Sequence, residues 1–251
     1  MKPRLGQHFL RDPSILGRIV DALEPVPGET VLEIGAGPGT LTEILLARGL
    51  NVIAVEKDRR LAAALDRRDN LTVITGDALE LDWHSYGANK VIGNIPYYIT
   101  SPLIDKALAP PIPDRVVFLV QSEVADRIAA PPGSKTYGAL SVGVQAVARV
   151  EKLFTVAPGA FRPAPKVRSA LIRLTPLAEP LVRPEEVAPF RVFVTACFSK
   201  RRKQLKNAVP GLTEADLQHL GFDPTVRPER LPPEGFVRLF GEAVVRQFKK
   251  S

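Results

Sequence analysis

Glu33-Ile34-Gly35-Ala36-Gly37-Pro38-Gly39-Thr40 is the stretch on which the fold of this chain turns. The residues before it, Thr30-Val31-Leu32-Glu33-Ile34, read as a short buried strand. Residues 41–48 after it carry a helical pattern, with Gly49 suited to a C-cap. The octapeptide is therefore a strand-to-helix turn. Glycine tolerates positive φ and lets a ligand approach the backbone closely, so glycines at alternate positions here point to a bound small molecule. Asn51-Val52-Ile53-Ala54-Val55 supplies a second strand. Glu56 at its tip stands about 20 residues beyond the turn, where an acidic side chain can accept from ribose hydroxyls.

Moving outward, residues 71–74, 90–93 and 115–120 read as further strands. Asp12-Pro13-Ser14 opens a helix whose apolar face is Ile15, Leu16, Ile19, Val20 and Leu23, and residues 58–67 form another. Strands alternating with helices predict an α/β fold, a Rossmann-like domain with a mostly parallel sheet covered on both faces. Residues 139–148 lean to helix. Residues 150–156 and 170–174 read as later strands, candidates for antiparallel additions. After Thr175-Pro176 the pattern changes to helical segments at 186–199, 201–208, 213–220 and 233–248, separated by Pro and Gly. This predicts a larger α/β domain over 1–180 and a small C-terminal helical domain over 181–251.

Composition narrows the function classes. The 251 residues are 45% hydrophobic, which excludes a disordered chain, and no apolar stretch reaches the roughly 20 residues a bilayer span needs. The start of the chain has no secretory apolar region, and the single cysteine, Cys197, excludes an internal disulfide framework and a thiolate zinc site. A reducing cytoplasm and no metal are the expectation. The net charge of +7 suits a polyanionic partner, and Lys200-Arg201-Arg202-Lys203 concentrates four cations in one run.

The turn spacing is G-x-G-x-G with Glu33 two places ahead, where nicotinamide-binding folds have G-x-G-x-x-G. It resembles the first motif of class I methyltransferases, which implies S-adenosyl-L-methionine as cofactor. Asp77, after the third strand, is placed to accept from the cofactor's adenine amine, or to act as an N-cap. Asn94-Ile95-Pro96-Tyr97-Tyr98 follows the fourth strand, at the sheet edge where open α/β folds bind ligands. An exocyclic adenine amine is a poor nucleophile because its lone pair is delocalised into the ring. The Asn94 amide oxygen and a carbonyl near Pro96 can accept from it and favour a tetrahedral nitrogen, while Tyr97 offers a face for an extruded base. Chemistry on an activated methyl needs positioning and polar stabilisation more than a strong base.

These motifs together resemble the small-subunit ribosomal RNA adenine dimethyltransferase family. The resemblance runs from Leu5-Gly6-Gln7-His8-Phe9-Leu10 through the segments above. It continues into Gln121-Ser122-Glu123-Val124-Ala125-Asp126-Arg127, Phe161-Arg162-Pro163-Ala164-Pro165-Lys166-Val167-Arg168-Ser169 and Phe198-Ser199-Lys200-Arg201-Arg202-Lys203-Gln204-Leu205. It implies cofactor contacts by Gln7, His8, Leu10, Glu33, Gly35, Gly37, Glu56, Asp77 and Asn94. Catalytic positions would be Asn94, Pro96, Tyr97 and Phe161, with Phe161 facing Tyr97 across the base. Lys200, Arg201, Arg202 and Lys203 would contact RNA phosphates. Family members often carry Asn where this chain has His8. The implied partner is small-subunit rRNA in an immature ribosomal subunit, bound by a monomer, with dimethylation of two adjacent adenosines near the 3′ end. Three other readings stay open on the motifs: a resistance-type enzyme acting on large-subunit rRNA, a DNA adenine methyltransferase, and a binding-only assembly factor. Ile95 in place of a first proline disfavours the second. Phe198 to Leu205 and Arg227-Pro228-Glu229-Arg230-Leu231 disfavour the first.

Overall fold

The computed structural model describes residues 7–65, 68–199 and 203–248. The chain begins with a short strand β1 (Phe9–Leu10) and helix α1 (Pro13–Asp21). Asp12 caps α1 by accepting from the Ser14 and Ile15 amides, and Leu16, Ile19 and Val20 form its buried face. Then come β2 (Thr30–Ile34), α2 (Thr40–Ala47), β3 (Asn51–Glu56), α3 (Arg59–Ala64), β4 (Leu71–Thr75), β5 (Lys90–Asn94), α4 (Thr100–Ala107), β6 (Arg115–Gln121) and α5 (Ser122–Ile128). The predicted order of strands and helices is present, with boundaries within a few residues.

The described residues form a seven-stranded sheet in the order β4-β3-β2-β5-β6-β9-β7, where β7 is Ala148–Val156 and β9 is Ser169–Pro176. β2 pairs in parallel with both β3 and β5, and β5 with β6, whereas β6 and β9 are antiparallel. The sheet is thus mostly parallel, and the chain order reverses on either side of β2. Such a reversal opens a crevice at the carboxyl ends of the strands. Gly93 permits the close pairing there: a Cβ on it would stand 2.5 Å from the Ile34 carbonyl oxygen. A second, two-stranded sheet joins β1 to β8 (Phe161–Arg162), with Leu10 opposite Phe161.

Contacts divide the chain into two compact units. One comprises residues 1–125 and 150–176, the other residues 126–149 and 177–251. The division after residue 176 lies close to the sequence boundary at 180. A single boundary, however, leaves 126–149 in the first domain, whereas the structure groups that segment with the C-terminal residues. The segment contributes α6 (Ala139–Gln145), the helix to which residues 139–148 leaned, and α6 packs on α7 (Val187–Ser199). The second unit's helical core includes Phe190 edge-on to Phe240 at 5.6 Å and Phe198 stacked on Phe236 at 5.3 Å. The helices α8 (Leu205–Ala208), α9 (Glu214–His219) and α10 (Pro233–Phe248) complete it. Among the described residues, no helix is long and apolar enough to cross a membrane.

Candidate active site

A cleft opens at the carboxyl ends of β2, β3, β4 and β5, entirely within the first unit, and its two ends are built differently. At one end the glycine turn meets the tip of β3. Gly35 adopts φ 72°, and its amide donates to the Val55 carbonyl at 2.8 Å. Glu56 is almost fully buried; one carboxylate oxygen accepts from the Gly37 amide and the other from the Asp58 amide, both at 2.8 Å. Each oxygen keeps a second lone pair for a ligand hydroxyl.

Asp77 accepts from the Leu79 amide at 3.0 Å through one oxygen and from Lys57 Nζ at 2.5 Å through the other. The Lys57 ammonium, and then the Leu79 amide, hold its carboxyl below the usual aspartate range. Asp77 thus caps the turn that follows it and also lines the cleft.

Gln7, His8, Gly35, Glu56, Asp77, Asn94, Pro96 and Tyr97 all line this cleft, as the motifs imply. Three other expected cofactor residues do not. Glu33 and Leu10 border a smaller cavity beneath the turn, Glu33 because alternate residues of β2 face opposite sides of the sheet. Glu33 is 1% exposed and accepts from Thr42 Oγ1 at 2.6 Å. Burial pushes its pKa up to about 7; the Thr42 bond opposes this and the Glu56 charge adds to it. Gly37 is covered by Phe9, whose ring a Cβ would meet at 2.9 Å, so glycine serves that packing.

The other end of the cleft follows β5. The Ile95 amide donates to the Leu119 carbonyl at 3.0 Å, and Asn94 Nδ2 donates to the His8 carbonyl at 2.7 Å. The second bond orients the amide and leaves Oδ1 as its accepting end. The Pro96 carbonyl is taken by the Ile99 amide at 3.1 Å and by Thr100 Oγ1 at 3.4 Å. The Ile95 carbonyl accepts no hydrogen bond among the described residues, which makes it the second acceptor beside Asn94 Oδ1. Proline thus fixes the turn and leaves its neighbour's carbonyl unspent.

Tyr97 is half-buried, with its hydroxyl 2.8 Å from Ser169 Oγ and burial holding its pKa above the ordinary tyrosine value. Across from its ring lies His8, at 5.8 Å between centroids and tilted by 32°. The His8 Nδ1 donates to the Pro163 carbonyl at 2.8 Å. The sequence reading placed Phe161 opposite Tyr97, and the structure corrects this. Phe161 is 1% exposed and belongs to the hydrophobic core, held there by the β1–β8 pairing that sets it against Leu10.

Lys200, Arg201 and Arg202 lie outside the described residues, and Lys203 is exposed. The sequence reading missed Lys57 and Ser169, whose parts depend on partners 20 and 72 residues away. It also assigned nothing to Tyr98, although Tyr98 lines the cleft beside Tyr97.

A parallel sheet reversed at β2, a glycine turn tied to an acidic strand tip and an Asn-Ile-Pro-Tyr turn facing them make this a class I methyltransferase. The family model described as ribosomal RNA adenine dimethylase matches residues 1–243. The chain belongs to the ribosomal RNA adenine dimethylase family. Among its relatives, the ribosomal RNA small subunit methyltransferase A of Aromatoleum aromaticum is 45% identical, covering 95% of this chain and 92% of the relative. That of Thermosynechococcus vestitus is 42% identical over 100% and 98%. Of solved structures, a dimethyladenosine transferase from Plasmodium falciparum superposes with a TM-score of 0.82 at 28% identity, covering 96% of this chain and 98% of that one. The 23S rRNA methyltransferase ErmE gives 0.69 at 30% identity over 94% and 99%.

Proposed function

We propose that this enzyme transfers methyl groups from S-adenosyl-L-methionine to the N6 amines of two adjacent adenosines near the 3′ end of small-subunit rRNA. The product is N6,N6-dimethyladenosine. The observation that carries this reading is the pair of unspent acceptors, Asn94 Oδ1 and the Ile95 carbonyl, at the opposite end of one cleft from Glu56 and Asp77. The cofactor fits the donor set of the other end: Glu56 has lone pairs for a ribose diol, Asp77 for an adenine amine, and Gly35 leaves the turn open to a ligand. Gln7, which also lines the cleft, helps to close that end. When bound, the cofactor supplies a methyl already activated on a sulfonium.

The chain's own residues then orient the nucleophile. For the first transfer Asn94 Oδ1 and the Ile95 carbonyl accept from the two N6 hydrogens and favour an sp³-like nitrogen aimed along the cleft. For the second, one hydrogen remains for one of these acceptors, and each transfer releases one N–H proton to solvent. Tyr97, fixed by Ser169 and backed by His8, supplies the face on which the extruded adenine stacks. Lys200, Arg201, Arg202 and Lys203 contribute phosphate contacts in the second unit. The partner we propose is an immature small ribosomal subunit, engaged by a monomer in the cytoplasm.

The test uses purified protein, labelled S-adenosylmethionine and small subunits lacking the mark. Digestion should release dimethyladenosine from small-subunit RNA. Transfer confined to large-subunit RNA, the activity that ErmE's name gives it, would overturn the assignment, as would transfer only to DNA. Reversing charge at Arg201 and Arg202 together should weaken RNA binding and flatten its salt dependence by about one unit of slope per lost phosphate contact.

A further inference from the structure

Among the phenylalanine, tyrosine and tryptophan side chains described between residues 7 and 246, one is exposed: Tyr98, at 60%. The other phenylalanine, tyrosine and tryptophan rings described are buried or partly buried. An isolated exposed aromatic is unremarkable by itself. This one lies on the wall of the catalytic cleft, on the short turn Tyr97–Ile99 that also carries the target-base platform.

Its neighbour cannot serve in its place. The Tyr97 hydroxyl is engaged by Ser169 and its ring is backed by His8, so Tyr97 offers its remaining surface inside the cleft. Tyr98 keeps most of its surface exposed. Lys57, more than half exposed and paired with Asp77, lines the same cleft. The Tyr98 phenol is near enough to contribute to the raised pKa of that ammonium. An open aromatic face beside a cation, on a chain of net charge +7, is the combination with which proteins hold unpaired nucleotides.

Resting on the function proposed above, we infer that Tyr98 is a substrate-binding residue that stacks the RNA base adjacent to the adenosine held in the cleft. Extruding an adenine removes one stacking partner from its neighbour. A ring at the mouth of the cleft replaces that partner, and holds the second target adenosine next to the slot while the first is modified. Stacking tolerates any base, so Tyr98 contributes affinity and register, not base identity.

The experiment compares the wild-type enzyme with Tyr98→Ala and Tyr98→Phe. Tyr98→Ala should raise KM for unmethylated small subunits about tenfold, with the cofactor Kd unchanged by calorimetry. Tyr98→Phe, which keeps the ring, should behave as wild type. A second readout does not require turnover. A target hairpin carrying 2-aminopurine beside the adenosine should lose fluorescence on binding wild-type or Tyr98→Phe protein, and keep it with Tyr98→Ala. Equal KM and equal quenching in all three proteins would overturn the inference. So would a cofactor Kd that weakens in step with KM, which would assign the ring to the cofactor's adenine. Loss in Tyr98→Phe as large as in Tyr98→Ala would also overturn it, because the hydroxyl would then carry the effect. Failure of the wild type to modify small subunits bears on the proposed function, whereas an intact wild type with an indifferent Tyr98→Ala bears on Tyr98.

Discussion

The two ends of the cleft are assembled over very different chain distances. At the cofactor end, Glu56 reaches back 19 residues to Gly37, Asp77 pairs with Lys57 20 residues before it, and Glu33 meets Thr42 nine residues on. At the target end, Asn94 is held by His8 across 86 residues, Tyr97 by Ser169 across 72, and His8 by Pro163 across 155. The first end is a property of consecutive βα units, which form together wherever their pattern occurs. The second exists only after the β1–β8 pair has drawn the beginning of the first unit and its last hairpin to the edge of β5. A cofactor site of the first kind can be shared among many methyltransferases, while the second kind sets what is methylated.

Mutations at the two ends should therefore separate binding from transfer. The largest effect is expected at Asn94→Ala. Methyl transfer should fall on the order of a hundredfold or more, as for loss of one polar group aimed at the developing charge. The cofactor Kd should stay within a few-fold by calorimetry. A comparable loss of cofactor affinity would merge the two ends and break the comparison.

Next in size is Glu33→Gln, which tests the cavity under the cofactor end. A buried carboxyl with pKa about 7 against an ordinary 4.5 is held protonated in the fold more strongly than in the unfolded chain. The unfolded state then sheds its proton first, so the contribution to stability declines as pH rises from about 4.5 to 7 and is flat above. The size is on the order of 3 kcal/mol. Denaturant melts at pH 5 and pH 8 should show the wild type losing stability relative to Glu33→Gln; parallel curves would exclude a neutral-range titration at this position.

Ser169→Ala should lower kcat/KM about three- to tenfold by freeing the Tyr97 hydroxyl, with the cofactor Kd unchanged. Tyr97→Phe should match it, and combining the two should add little, because one hydrogen bond is removed in each case. The smallest effect belongs to Lys57→Met. Its ion pair with Asp77 is half open to solvent, so the cofactor Kd should move less than about threefold. A large change there would give the cofactor end a charge dependence that the geometry does not.

Much of this was legible in the sequence. The strand before the glycine turn, the acidic tips of β3 and β4, and Asn94 after β5 were all readable because each lies inside one βα unit. The helical character of 139–145 was also read correctly, but its grouping with the C-terminal helices was not, since a helix's own residues do not say which core receives its apolar face. Glu33 was misplaced for a similarly local reason. In a motif it stands in line with Gly35, yet the pleat of β2 turns it toward Thr42 and away from the cleft. Phe161 was misplaced for a long-range reason, as its pairing with Leu10 buries the ring that the motif suggested for the base slot.

The sequence by itself determined the parallel α/β order, the cofactor turn and the Asn-Ile-Pro-Tyr chemistry, because periodicity, glycine spacing and residue type act over one turn or one strand. Only the tertiary structure decided which way the Asn94 amide is turned, what backs Tyr97 and what holds its hydroxyl. Those outcomes depend on hydrogen bonds and packing between segments 72 to 155 residues apart, and no local pattern records them.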